Sequence, residues 1–295
     1  MLRTGFILLS ILFLSCTTFH NNEKITGYNL TKPDVTFVLP DILHEVSDVT
    51  EVDNSSFACV QDENGILFIY DALKNEIKQQ YAFNMDGDYE GIARVGKQMY
   101  VLRSDGTLYE ISDYTAKDFK LNTYITGVPA NNNEGLCYDK EHDRLLIGCK
   151  SNIGKGAEFK DKRAIYAFDL KTKKLQKEPV FEFDVNAVKQ YAEKHKMTLP
   201  EKTKKKDGTS EPFIKFRMSA IAIHPLTGKL FLLSATDYLF FIFDMHGNIE
   251  HMEQLDPAMF NKSEGITFFD NGDMLITNEG QKMKPTLLRF NYKPL

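Results

Sequence analysis

A short motif returns along this chain at near-constant spacing, and that period restricts the fold more than any other feature. Asp88-Tyr89-Glu90-Gly91-Ile92-Ala93 opens an apolar strand with a Glu-Gly pair, and Asn133-Glu134-Gly135-Leu136 and Ser263-Glu264-Gly265-Ile266 repeat it. Weaker copies stand at Glu45-Val46-Ser47 and Met218-Ser219-Ala220. With Glu45, Glu90, Glu134, Ser219 and Glu264 as register marks, the steps are 45, 44, 85 and 45 residues. A fixed period of about 40–50 residues is what the blades of a β-propeller give.

Within each period the text is the same: short alternating or apolar runs, bounded by turns such as Asn64-Gly65, Asp105-Gly106, His246-Gly247 and Asn271-Gly272. Antiparallel four-strand meanders are written this way. The last unit holds only three strands before the chain ends. A propeller has to close, because an open sheet edge leaves backbone groups unpaired. Tyr28 to Leu39 can supply the missing outer strand. The expectation is all-β: a five-bladed propeller over residues 27–295 with closure shared by the termini, six blades being the alternative if the doubled step hides another.

The doubled step reads as an insertion, about 185–216. Val185 to His195 is helical in composition, with Val185, Val188 and Tyr191 or Ala192 on one face and Asp184 as a candidate N-cap. The lysine-rich stretch Lys202 to Gly208 follows, a solvated loop or a contact for anionic lipid or phosphate.

Residues 1–15 read as a signal peptide: Arg3, then the apolar run Gly5 to Ser15, too short to span a bilayer, which takes about 20 residues. Phe13-Leu14-Ser15-Cys16 resembles a bacterial lipobox, which implies cleavage before Cys16, lipidation of its thiol and a tether over 16–26. The expected location is the bacterial cell envelope, lipid-anchored and facing the periplasm, with the bilayer as a partner and the protein as a monomer. Cys59, Cys137 and Cys149 remain; an odd count is not a disulfide scaffold, although Cys137 and Cys149 could face each other across a hairpin. The net charge of −5 argues against a nucleic-acid surface.

In an antiparallel hairpin the start of the first strand and the end of the second share an edge. First strands line the channel of a propeller, so both sets converge on one mouth. That gathers Glu45, Glu90, Glu134 and Glu264 with Arg103, Asp105, Lys150, Asp237 and Glu279. Crowded carboxylates raise one another's pKa or recruit a cation, and an oxygen-only set suits calcium or magnesium rather than zinc. Arg103 and Lys150 could hold an anionic ligand group. The alternative is structural: repeated glutamates accepting backbone N–H bonds and fastening the ring.

The series Leu43-His44-Glu45-Val46-Ser47, Asp88 to Ala93, Asn133 to Leu136, Met218 to Pro225 and Ser263 to Phe268 resembles the SdiA-regulated (YjiK-like) proteins. The resemblance covers residues 35 to 292 and implies an exported propeller with links to calcium response and to phytase-like propellers. Gluconolactonase-type propellers also begin blades with Glu-Gly, but they continue with proline and tryptophan; this chain has Ile92, Leu136 and Ile266 there, and no tryptophan. Three functions follow as expectations: a binder of calcium or a small anion, a calcium-dependent phosphoesterase, and a protein-interaction platform using the insert.

Overall fold

The structure is a computed structural model that describes residues 27–116, 118–203 and 208–294. The signal peptide, Cys16, the tether and the core of the lysine run lie outside the described residues.

Five antiparallel sheets form five blades, and no sixth is present among the described residues. Blade I runs Val46–Asp53, Ser56–Gln61, Ile66–Asp71 and Glu76–Ala82. Blade II runs Tyr89–Val95, Gln98–Arg103, Thr107–Ser112 and Lys120–Ile125. Blade III has Asn133–Asp139, Arg144–Cys149 and Lys162–Asp169, with its outer strand broken into Lys174–Leu175 and Phe181–Asp184. Blade IV runs Ala220–Ile223, Leu230–Ser234, Leu239–Phe243 and Ile249–Gln254. Blade V comprises Ser263–Phe268, Met274–Asn278 and Thr286–Phe290, and Val35–Val38 pairs antiparallel with the last of these. The N-terminal strand closes the final blade. Its backbone supplies the partner that the truncated C-terminal unit lacks.

The first strand of each blade packs on the first strand of the next, and the series closes from blade V back to blade I. Close approach there is what the motif glycines permit. A Cβ added to Gly91 would lie 2.7 Å from Cβ of Leu136, and one on Gly135 would lie 2.8 Å from Cγ1 of Ile221. At Gly265 it would lie 2.8 Å from Cα of Asp48. Each glycine thus meets the following blade.

Phenylalanine fills the wedges between blades in place of tryptophan. Phe183 and Phe243 stand 4.7 Å apart across blades III and IV, and Phe231 and Phe268 stand 5.0 Å apart across IV and V. Fully burying one such ring contributes about 1.5–3 kcal/mol, so these wedges are a main source of inter-blade adhesion.

The insertion begins with the expected helix, Val185–Lys194, capped by Asp184, whose carboxylate accepts from Asn186 N–H at 2.8 Å. Val185, Val188 and Ala192 are the buried face. Tyr191 donates its hydroxyl to the Glu250 carbonyl at 3.1 Å, bracing the helix on blade IV. A small hairpin, Glu201–Thr203 with Ser210–Pro212, follows. Cys137 and Cys149 are both free thiols, because the register pairs Cys137 with Leu146 and Asn133 with Cys149.

Candidate functional site

A β-bulge at the start of the first strand positions each motif glutamate. The pairing register skips Glu90 between Tyr89 and Gly91, Glu134 between Asn133 and Gly135, and Glu264 between Ser263 and Gly265. A bulge leaves one residue out of the ladder and re-aims its side chain. In blade IV the paired strand begins at Ala220, which places Ser219 at the corresponding position.

Blade I departs from the expected register. Its bulge falls between Val46 and Asp48, so Ser47 occupies the glutamate position and Asp48 the glycine position. Glu45 therefore stands two residues too early. It lies at the rim with a left-handed backbone, φ +62°, and only three glutamates share the inner ring. Asp48 fills the space that glycine leaves elsewhere. It is 3 % exposed, and its carboxyl accepts from Val49 N–H at 2.8 Å and from Ile92 N–H of blade II at 2.9 Å. Burial drives its pKa well above the usual carboxylate range, with the charge of Glu264 adding to it.

Two lysines enter the ring. Lys150, one residue past the second strand of blade III, pairs with Glu134; Lys262 pairs with Glu279 and lies 3.6 Å from Glu264. Burial and the neighbouring Glu134 push Glu90 up to about 9, against the pull of Lys150. The same causes carry Glu264 to about 8, and burial likewise raises Glu134. Although burial opposes it, Glu264 and Glu134 hold Lys150 above the usual lysine range. Near neutral pH the ring holds protons as well as charges. Asp62, beside Glu45 and Glu279, is raised to about 6, chiefly by burial.

Several oxygens here have no donor. Glu134 Oε2, Asn133 Oδ1, Asn132 Oδ1 and Asp62 Oδ1 are buried without a hydrogen-bond partner, and Glu134 is only 1 % exposed. Buried polar groups are ordinarily satisfied, so four unmet acceptors on the residues that start blade III and end the second strand of blade I need a reason.

The remaining expected residues are otherwise engaged. Arg103 grips Asp105 through two contacts, 2.6 and 3.1 Å, and holds the Asp105 carboxyl down to about 2. Asp237 accepts from Lys215 N–H, Phe216 N–H and the Ser234 hydroxyl, and so braces the return from the insertion. Glu279 is the counter-ion of Lys262. No group of three or more His, Cys, Asp or Glu side chains set to hold a metal ion occurs among the described residues.

A cavity of about 540 Å³ lies at the opposite mouth, beneath the far ends of the first strands. Sequence reasoning missed it; the residues closing the first strands, Glu51, Arg94 and Asp139, were the signal. Its acids are largely paired: Glu51 with Arg94 at 2.9 Å, and Asp139 with the neighbouring Arg144 at 2.8 Å, while His224 Nε2 on the same wall is buried without a partner. The volume and the unmet carboxylate and amide oxygens therefore sit at opposite ends of the axis. Unmet buried acceptors are the stronger mark of a ligand site, because they cost free energy until a donor arrives.

No protein-family description matches the chain, and no curated relative does. Among solved structures it is similar to glutaminyl cyclase of Myxococcus xanthus, with 11 % identity over 90 % of this chain and 97 % of that one, TM-score 0.57. It is also similar to virginiamycin B lyase of Staphylococcus aureus, with 13 % identity over 86 % of this chain and 69 % of that one, TM-score 0.44. The first likeness supports the propeller fold alone; the second carries no argument. Fold and site together define a five-bladed propeller with a carboxylate–lysine cluster at one channel mouth.

Proposed function

We propose that this protein is an exported, lipid-anchored binding propeller whose glutamate mouth takes a small ligand bearing positive charge. The observation that carries the reading is Glu134 Oε2, a buried carboxylate oxygen that no donor reaches, beside the unmet Asn132 and Asn133 amide oxygens. A protonated amine supplies several N–H donors to such oxygens without disturbing Lys150 or Lys262. Calcium presents the same positive charge to the same oxygens, but the acids would first have to leave their lysines. The phosphoesterase reading has less support, since Arg103 and Lys150 are both committed to carboxylates.

Thermal melting with calcium chloride and with butylamine, each at millimolar concentration, tests the reading. A ligand that binds only the folded state raises the melting temperature by mass action. The expected result is a rise with at least one of the two, lost in the Glu90→Gln, Glu134→Gln double variant. No rise with either would sink it. The anchor is tested apart, by Cys16→Ser, which should move the protein from the membrane fraction to the soluble one.

A further inference from the structure

Just outside the bulge positions stands a second ring, two residues before each of them. It reads Glu45, Asp88, Asn132, Arg217 and Lys262 from blade I to blade V. The backbone confirms the equivalence in four blades. Asp62, Ser104, Lys150 and Glu279 donate their N–H groups to the carbonyls of Glu45, Asp88, Asn132 and Lys262, at 2.9–3.3 Å. The ring is polarised: acids on blades I and II, an amide on III, cations on IV and V.

The two cations differ in their state. Lys262 is neutralised by Glu279 and Glu264. The guanidinium of Arg217 is exposed and makes no ion pair or hydrogen bond among the described residues, although its backbone is braced. Arg217 N–H donates to the Ser234 hydroxyl at 3.1 Å, and the two preceding N–H groups are held by Asp237. Behind it lies Arg163, 7 % exposed, which donates to Phe216, Lys215, Lys160 and Lys162 carbonyls and to Asn152 Oδ1, and to no carboxylate. The charge of Arg217 helps depress Arg163, after burial. Arg163, on blade III, has the charges of Asp161 and Asp237 near it, so the unpaired positive charge is that of Arg217, at the rim of blade IV and next in the ring to blade III with its unmet Asn132, Asn133 and Glu134 oxygens.

Resting on the cation-binding reading above, we propose that the ligand is a zwitterion of the amino-acid type, its ammonium meeting Glu134 Oε2 and its carboxylate the Arg217 guanidinium. Arginine presents paired N–H donors that match a carboxylate. A molecule with both charges answers both groups at once; an amine answers one.

Calorimetric titration of the full chain with butylamine, 4-aminobutanoate, glycine and butanoate tests this. The expected result is that one of the two amino acids binds about tenfold or more tightly than butylamine, the worth of one charge-assisted carboxylate contact. Arg217→Gln should bring that amino acid to the level of butylamine while leaving butylamine unchanged, and Arg217→Lys should restore part of the gain. Arg217 is exposed, so these variants should melt like the parent. Equal binding of amine and amino acids, or indifference to Arg217→Gln, overturns the zwitterion and leaves the cation reading standing. Binding of butanoate alone, or of none of the four, overturns it together with the amine arm of that reading.

Discussion

The Lys150 ammonium is paired with one carboxylate oxygen of Glu134, while the other oxygen of the same carboxylate is buried with no donor. Half of this buried charge is compensated from within the chain, and half is left open. Lys150 itself is reached by the fields of Glu264 and Glu90 as well, so a single ammonium ties together carboxylates from blades II, III and V.

Removing that ammonium should be costly. Lys150→Met leaves Glu134 buried without its partner, and breaking a buried pair costs about 3 kcal/mol. Glu134→Gln in the same chain should recover most of the loss. Urea unfolding of the two single variants and the double variant checks this, and non-additivity is the expected signature.

Stability should fall as pH rises across the neutral range. Glu90 and Glu264 have folded pKa values near 9 and 8, above their ordinary value of 4.5. Between these limits the folded state binds more protons than the unfolded one, so raising the pH favours unfolding. Their contribution is complete below about pH 4.5 and lost as pH passes through 8 to 9. Urea midpoints from pH 5 to 9 should show the decline, and Glu90→Gln with Glu264→Gln should flatten it.

His224 works in the opposite direction. Its Nδ1 accepts from Leu226 and Thr227 N–H, and the ring is packed among Phe231, Phe268 and Tyr292. Burial, aided by the charge of Lys229, holds its pKa down to about 4 against an ordinary 6.5. The unfolded chain takes up this proton first, so stability is lost as pH falls from 6.5 towards 4. His224→Asn, which offers an oxygen acceptor to the same turn, should remove that acid-side slope in a melting series.

Two glycines of blade III should respond differently to alanine. At Gly135 the new Cβ would meet Ile221 at 2.8 Å, whereas at Gly148 the nearest atom is 3.5 Å away. Gly135→Ala should cost about 1–3 kcal/mol by overpacking. Gly148→Ala should stay within about 0.5 kcal/mol of the parent. Parallel urea titrations decide it.

The architecture was legible in the chain because a blade is a local object. Turn residues such as Asn64-Gly65 and Asn271-Gly272, and apolar runs between them, specify each meander within about forty residues. The truncated last unit demanded an extra strand, and Val35–Val38 supplies it. The helix after Asp184 was equally local, since its cap and apolar face are both written in ten residues.

The site was legible only in part. Glu90, Glu134 and Glu264 were found by repetition, and Lys150 by hairpin geometry. Glu45 was misaligned because the repeat in blade I carries no Glu-Gly pair. Its bulge, at Ser47, is set by pairing with Gln61 and Val60 rather than by any residue in the motif. Arg103 belonged by position and was removed by a neighbour, Asp105, two residues on. The sequence by itself determined five blades, their closure and the insertion, because those rest on contacts between near neighbours. Only the tertiary structure decided which charges meet. Closing the ring brings Asp62, Glu134 and Lys262 to one mouth, and in that buried space each ion's partner is set by position around the axis.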